Sequence, residues 1–212
     1  MKLTILYDNT VFNPALKADW GFSCFVETGD RNILFDTGTK GRMLVKNMKK
    51  LGIKPSMVDD VFISHNHFDH TGGLSEFLHQ NNNVNIYLPP SLRGVHGAKE
   101  IIFADKPGQL HKNVFTTGEL DGIEQSLVVS TTKGLVLIVG CSHPEMRHIF
   151  DAASRFGEMY AIIGGLHGFN EFGMFDKLKL ICPTHCTRHI AELKKLYPDK
   201  YTEGGAGKTI EI

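Results

Sequence analysis

The chain has 212 residues, of which 42% are hydrophobic, and its 23 basic residues balance 23 acidic ones, so the formal net charge is zero. A chain of this length can bury a full core, and we expect one domain that covers residues 1–212. The charge balance, and the lack of basic clusters with interleaved aromatic residues, argue against nucleic acid or an anionic membrane as a partner.

Short apolar runs separated by turns or amphipathic stretches predict strands and helices. The predicted strands are 3–7, 22–27, 33–35, 61–64, 84–88, 127–130, 135–139, 160–163, 179–182 and 209–212, and the predicted helices are 41–50, 72–79, 144–156 and 187–196. Hairpin turns are expected at 29–30 and 132–134, and Thr187 is expected to cap the last helix. Early hairpins followed by alternation of strands and helices predict a layered α/β or α+β architecture.

No apolar segment reaches the length of a membrane-spanning helix, and the N-terminus lacks the pattern of a signal peptide. The four cysteines are too few for a disulfide scaffold, which predicts free thiols in a reducing compartment. We therefore expect a soluble, cytoplasmic protein.

The segment His65-Asn66-His67-Phe68-Asp69-His70 offers four potential metal ligands in six residues and directly follows the apolar run 61–63. Imidazole suits zinc, iron, nickel and copper, so three histidines with one carboxylate favour a transition metal over calcium or magnesium. The segment therefore predicts a metal centre at the end of a strand.

Further ligands must come from other strand ends. His143 and His185 each follow an apolar run that stops at small or turn-forming residues, as functional groups do in open sheets. His167 follows a third run and two glycines, and it could be a ligand, a substrate contact or a proton donor. We expect His143 and His185 to complete the metal centre.

Two more residues allow two interpretations each. Cys141 is either a zinc ligand or a buried residue after a strand. Asp36 either accepts a hydrogen bond that fixes a metal-binding histidine or belongs to an Asx turn. Cys182 is expected in the core and Cys186 receives no role. The histidines expected on the surface are His79, His96, His111, His148 and His189.

The His-x-His-x-Asp-His pattern at 65–70, preceded by Asp36 in Phe35-Asp36-Thr37-Gly38, resembles the metallo-β-lactamase superfamily. Segments 139–143, 163–167 and 182–187 resemble a subgroup that contains an archaeal pterin-phosphate synthase and many uncharacterised metal-dependent hydrolases. The resemblance implies a four-layer αββα sandwich of two mixed sheets flanked by helices. Arg188 departs from the subgroup pattern, which usually has glycine, and the chain is shorter than its relatives, which implies a more open site.

The resemblance also implies two divalent transition-metal ions, with zinc expected first and manganese, iron or nickel as alternatives. The expected ligands are His65, His67 and His143 for one ion and Asp69, His70 and His185 for the other, with Asp36 and Cys141 supporting them from behind. A metal-bound hydroxide would attack the substrate, Asp69 would act as base or proton shuttle, and His167 would assist the leaving group. Backbone dipoles of residues 71–73, at a helix N-terminus, would favour an anionic substrate.

The leading functional prediction is a hydrolase of a phosphoester, lactone or similar bond in a small molecule, which could be anionic or phosphorylated. The first alternative is a transferase similar to the pterin-phosphate synthase, in which pyrophosphate leaves. The second alternative is a non-catalytic metal or ligand sensor on the same fold.

Overall fold

The computed structural model describes residues 1–212 and contains thirteen strands and five α-helices. The strands are β1 (Lys2–Tyr7), β2 (Ser23–Glu27), β3 (Asn32–Phe35), β4 (Asp60–Phe62), β5 (Asn85–Leu88), β6 (Glu100–Phe103), β7 (Gly108–His111), β8 (Val114–Thr116), β9 (Leu127–Thr131), β10 (Gly134–Val139), β11 (Met159–Gly165), β12 (Leu180–Thr184) and β13 (Thr209–Glu211). The helices are α1 (Gly41–Lys50), α2 (Phe68–Thr71), α3 (Leu74–Gln80), α4 (Met146–Ala153) and α5 (Ile190–Leu196).

The strands form two mixed sheets. The first sheet has the order β13-β1-β2-β3-β4-β5-β6, and the second has the order β12-β11-β10-β9-β8-β7. Strands β3 to β6 run parallel in the first sheet, and β10 to β12 run parallel in the second. The remaining neighbours are antiparallel and include the two predicted hairpins, β2–β3 and β9–β10.

The core between the sheets follows from strands that are apolar on both faces. In β10, Val136 and Ile138 point into the cluster that both sheets share, whereas Leu135, Leu137 and Val139 point into the cluster on the outer face. Alternate side chains of a strand point to opposite faces, so a continuous apolar run indicates burial on both sides. The two sheets therefore share one core.

Helices cover both outer faces. Leu44 of α1 and Phe77 of α3 pack on the first sheet, and Ile149 of α4 and Leu193 of α5 pack on the second. This arrangement confirms the predicted four-layer αββα sandwich. No helix has both the length and the apolar character needed to cross a bilayer.

Several local predictions differ from the structure. Strands β6, β7 and β8 were not predicted because they have only three or four residues each and two of them are half-exposed, which leaves little periodic signal. The helix expected at 72–79 corresponds to α3, which begins at Leu74, and the short helix α2 before it was not predicted. Thr187 does not cap α5, because its hydroxyl donates to the carbonyl of Thr184 and accepts the N–H of Leu166.

The surface placement of His111 was also wrong. Its Nε2 lies 2.9 Å from Oδ2 of the fully buried Asp60 and 3.0 Å from the hydroxyl of Tyr87. Asp60 and Tyr87 belong to the first sheet and His111 to the second. His111 therefore takes part in a polar contact between the sheets. Asp60, its partner, begins β4, whereas the metal-site motif follows the other end of that strand.

Candidate metal centre

Four strand ends meet at one edge of the sandwich. The 65–70 segment follows β4, and His143, His167 and His185 follow β10, β11 and β12. Because β10, β11 and β12 are parallel neighbours, their carboxyl ends lie side by side. The topology thus brings together residues more than a hundred positions apart in sequence.

Four non-glycine residues at this edge have a left-handed backbone conformation. Asp36, Ser142, His167 and His185 have positive φ angles of 52°, 57°, 44° and 48°, and each lies just beyond a strand. Left-handed backbone is uncommon for residues other than glycine and clusters at functional sites. The chain therefore makes a sharp turn at each strand end, which aims the side chains into a common space.

The candidate ligand atoms form two adjoining groups. One group contains His65, His67 and His143, and its ligand atoms all lie within 4.8 Å of one another. Nε2 of His65 is 3.0 Å from Nδ1 of His67, and the His143 ring centroid is 4.8 Å from that of His65. The two groups are in contact through His65 and His70, whose ring centroids are 4.2 Å apart.

The second group contains Asp69, His70, His185 and, in addition, Cys141. Oδ2 of Asp69 lies 3.1 Å from Nε2 of His185, and Sγ of Cys141 lies 3.2 Å from Nε2 of His70. Cys141 was expected behind the ligands, but its sulfur faces the same space as theirs. The grouping of the six other residues matches the expected division into two sets.

Hydrogen bonds from behind fix which ring nitrogens face inward. Nδ1 of His70 donates to Oδ2 of Asp36 at 2.6 Å, the contact expected for Asp36. The Ser64 hydroxyl donates to Asp36 and accepts from Nδ1 of His65 at 2.9 Å, and Nδ1 of His185 donates to Oδ1 of Asn9 at 3.0 Å. His65, His70 and His185 therefore turn the Nε2 lone pair inward, as metal-binding histidines with such partners do.

Glu124 is a residue of this site that the sequence did not reveal. Its carboxylate is buried, and its Oε1 accepts backbone N–H groups from Gly140 at 3.0 Å, Cys141 at 2.9 Å and Ser142 at 3.1 Å, while Oε2 accepts that of His143 at 2.9 Å. Such a carboxylate satisfies four donors of a loop that has no ladder partners. Glu124 therefore holds the loop that carries Cys141 and His143.

Electrostatics keep most of the ring nitrogens available as ligands. Burial, together with the neighbouring histidines, lowers the pKa of His65 well below its usual range and that of His143 to about 4. Burial also lowers the pKa of His185. Burial alone would raise the pKa of Asp69, but the nearby imidazoles of His185 and His70 outweigh it and lower that pKa. Burial opposes protonation of His70, but the carboxylate of Asp36 outweighs it and raises the pKa of His70. Neutral imidazoles beside an ionised carboxylate are the protonation states that bind metal.

The buried donor set fits divalent metal ions. Nε2 of His143 and Nε2 of His185 are buried without a hydrogen-bond partner and belong to the two ligand groups. Buried polar atoms are normally satisfied, so two unpartnered nitrogens inside the donor groups fit the role of ligands to a divalent cation. A side-chain hydrogen bond with Cys186, together with burial, raises the pKa of the Cys141 thiol. A bound cation would therefore be needed to favour the thiolate.

Other expectations for this site had mixed outcomes. The ring of His167 lies 5.3 Å from that of His143, outside both ligand groups. The backbone N–H groups of Thr71, Gly72 and Gly73 donate to carbonyls of His67, Phe68 and Gly38, so the expectation that they face an anion was wrong. Trp20, which received no role from the sequence, lies beside His185 with 5.0 Å between ring centroids.

Known proteins share both the sequence and the fold. A model of the metallo-β-lactamase superfamily matches residues 21–134, more than half of the chain. A 7,8-dihydropterin-6-methyl-4-(β-D-ribofuranosyl)-aminobenzene-5′-phosphate synthase from Methanocaldococcus jannaschii is 28% identical over 280 residues, covering 99% of this chain and 95% of that protein. An uncharacterised protein of the same organism is 24% identical and covers 99% of this chain and 100% of its own length.

Among solved structures, the crystal structure of Tm1679, described as a metal-dependent hydrolase of the β-lactamase superfamily, superposes with a TM-score of 0.83 at 25% identity. It covers 100% of this chain and 99% of that one. The sequence match and the shared sandwich agree. The chain therefore belongs to the metallo-β-lactamase superfamily.

Proposed function

We propose that this protein is a metal-dependent hydrolase that cleaves a phosphoester bond of a small molecule with two divalent ions at the candidate centre. The observation that carries the proposal is the pair of adjoining donor groups, which contain unpartnered buried nitrogens and, in the second group, the carboxylate of Asp69, whose side chain is 16% exposed. A site that only stored a metal would not need an ionised carboxylate open to solvent.

His65, His67 and His143 would hold one ion, and Asp69, His70 and His185 would hold the other, with Cys141 as a further donor to the second. When bound, the two ions would lower the pKa of a water molecule towards neutrality and stabilise negative charge on the reacting oxygens. Imidazole and thiolate donors in one set favour zinc among the candidate metals. A reducing compartment, such as the cytoplasm, would keep Cys141 as a thiol.

Asp69 is the residue that we assign to the attacking water. Its pKa is lowered, so it is ionised at neutral pH and can accept a hydrogen bond from the water. Oδ2 contacts His185 at 3.1 Å, which fixes the carboxylate in one orientation. We propose that Asp69 orients the water and takes its proton as the oxygen attacks phosphorus, a task that typically contributes about 10²- to 10⁴-fold in rate.

His167 is the residue that we assign to the leaving group. Its ring is half-buried, lies next to that of His143 and belongs to neither ligand group. An imidazole that does not bind metal keeps an N–H proton that it can donate to an oxygen. We propose that His167 gives this proton to the oxygen that leaves phosphorus.

A transferase is the second candidate function, and the relative from Methanocaldococcus jannaschii favours it, because that relative is named a synthase and aligns with 99% of this chain. In that case an organic nucleophile would replace water and pyrophosphate would leave. The 280 aligned residues of that relative exceed the 212 of this chain, so the relative carries insertions that this chain lacks. We rank the water nucleophile first, because this chain has fewer residues available to hold a second organic substrate.

The test is a reconstitution experiment. Protein stripped by a chelator is loaded separately with zinc, manganese, iron or nickel and assayed on phosphodiesters, lactones and a pterin diphosphate with an arylamine. We expect phosphodiester hydrolysis that returns with metal and is lost in His143→Ala but kept in His79→Ala, an exposed control. Turnover only with both the pterin diphosphate and the arylamine would establish the transferase instead, and no bound metal would overturn both.

A further inference from the structure

Six rings at the metal centre follow one another in a series of contacts, which we call the ring row, and the ring of His67 lies beside it, 4.6 Å from His65 and 4.7 Å from His143. Successive centroids along it are 5.0, 5.0, 4.2, 4.8 and 5.3 Å apart, and its members are Trp20, His185, His70, His65, His143 and His167. The four central rings belong to the two donor groups. The row therefore has two different ends, one at Trp20 and one at His167, with the metal centre between them.

Trp20 provides an exposed aromatic surface at one end of the ring row. Its side chain is 56% exposed, although it is the only tryptophan of the chain and one of the largest apolar side chains. The backbone N–H of Trp20 donates to Oδ1 of Asp19 at 2.8 Å, and its backbone carbonyl accepts from the Thr39 hydroxyl. Gly21 follows with a φ of +134°, and any side chain there would come within 2.5 Å of the carbonyl oxygen of Asp69. The backbone is thus held against the metal motif while the indole faces solvent.

The other end of the row opens into a cavity of about 480 Å³. His143 and His167 form its inner end, and Met146, Phe169 and Met174 contribute apolar walls. The volume lies within the range of small-molecule pockets, and the lining combines these apolar side chains with polar and charged ones. Two of the charged lining residues, Arg147 and Glu171, pair with each other at 3.2 Å.

We propose that the centre acts on a phosphodiester whose two organic arms extend towards the two ends of the ring row, with a planar ring of one arm on Trp20 and the other arm in the cavity. This inference rests on the proposed hydrolase function. A phosphate monoester would fill only one of the two subsites. Exposed aromatic surfaces bind planar rings by stacking, and Trp20 offers such a surface beside a ligand residue.

The position of His167 also decides which arm leaves. In the proposed step the water oxygen forms a bond to phosphorus and gives its proton to Asp69, and the bond from phosphorus to the oxygen of the cavity arm breaks. That oxygen takes a proton from His167, which borders the cavity. The products are an alcohol or phenol from the cavity arm and a phosphate monoester of the arm on Trp20.

Three substrates with the same leaving group test this arrangement: bis(p-nitrophenyl) phosphate, methyl p-nitrophenyl phosphate and p-nitrophenyl phosphate. We expect kcat/KM to fall in that order. Trp20→Ala should lower kcat/KM for the first substrate by about 2- to 12-fold, the effect of losing one aromatic pair. The same variant should leave the methyl diester unchanged, and Trp20→Phe should retain most of the preference. Phe103→Ala, at another exposed aromatic residue, is the matched control.

Tryptophan fluorescence gives a readout that does not depend on turnover, because Trp20 is the only source of it. In zinc-loaded protein, phenylphosphonate should change the emission, and methylphosphonate should not. The two-arm assignment would be wrong if the wild type cleaved both diesters at equal rates or preferred the monoester. It would also be wrong if Trp20→Ala lost activity equally on both diesters or if phenylphosphonate left the emission unchanged. The proposed hydrolase function would survive each of these results. Failure to bind metal or to hydrolyse any of the three would instead remove the function on which it rests.

Discussion

Replacement of Glu124 by glutamine tests whether this carboxylate holds the ligand loop. The amide oxygen of glutamine can keep the three N–H groups that Oε1 accepts, but its NH₂ group must then face the N–H of His143, where Oε2 accepts at 2.9 Å. The variant thus loses one charge-assisted bond and leaves a buried donor unpaired. A loss of this kind costs about 1.5–3 kcal/mol of unfolding free energy.

For a chain of this size, about 1 kcal/mol corresponds to roughly 2–4 °C in Tm, so Glu124→Gln should lower the Tm of the metal-free protein by about 3–12 °C. Zinc affinity at His143 should also fall, by about 10- to 100-fold, because residues behind the ligands typically have effects of that size. Differential scanning calorimetry and calorimetric zinc titration measure the two quantities. The exposed Glu158→Gln is the control, and a Glu124→Gln protein that matches it in both would refute the role.

Three further predictions concern other residues. His167→Gln should slow phosphodiesters with poor leaving groups about 100-fold but barely affect p-nitrophenyl esters, which need no proton donor; an equal loss on both would contradict the assignment. Cobalt-loaded protein should show a sulfur-to-cobalt charge-transfer band that Cys141→Ser abolishes, and a wild-type spectrum without it would exclude the sulfur as a ligand. His111→Leu should lower the free energy of unfolding by about 1.5–3 kcal/mol in urea titrations, because Asp60 loses its 2.9 Å partner, whereas Asp60→Asn with His111→Leu should recover part of this.

The sequence predicted the candidate metal ligands best where a short local motif directly indicated a ligand at the end of a strand. The 65–70 segment, and histidines that directly follow apolar strands, predicted which side chains would meet, because parallel strands end at a common edge. Asp36 was identified as a partner for a ligand histidine because it too ends a strand. The four layers followed from the resemblance together with strands that are apolar on both faces.

Residues whose roles depend on distant partners could not be found in this way. Glu124 lies in an irregular segment before β9, and nothing near it in sequence indicates that it accepts four N–H groups from another loop. His111 was predicted to be a surface residue because Asp60, which it contacts, is 51 positions earlier in the sequence and belongs to the other sheet. Trp20 lies in a loop without periodicity, and only the fold places it beside His185.

The central claim is that two adjoining donor sets each bind one metal ion. Calorimetric zinc titration of chelator-treated protein tests it most directly, in the wild type and in single variants of each set, His143→Ala and His185→Ala. We predict two bound zinc ions per chain in the wild type and one in each variant. One ion or none in the wild type, or two ions in both variants, would contradict the account.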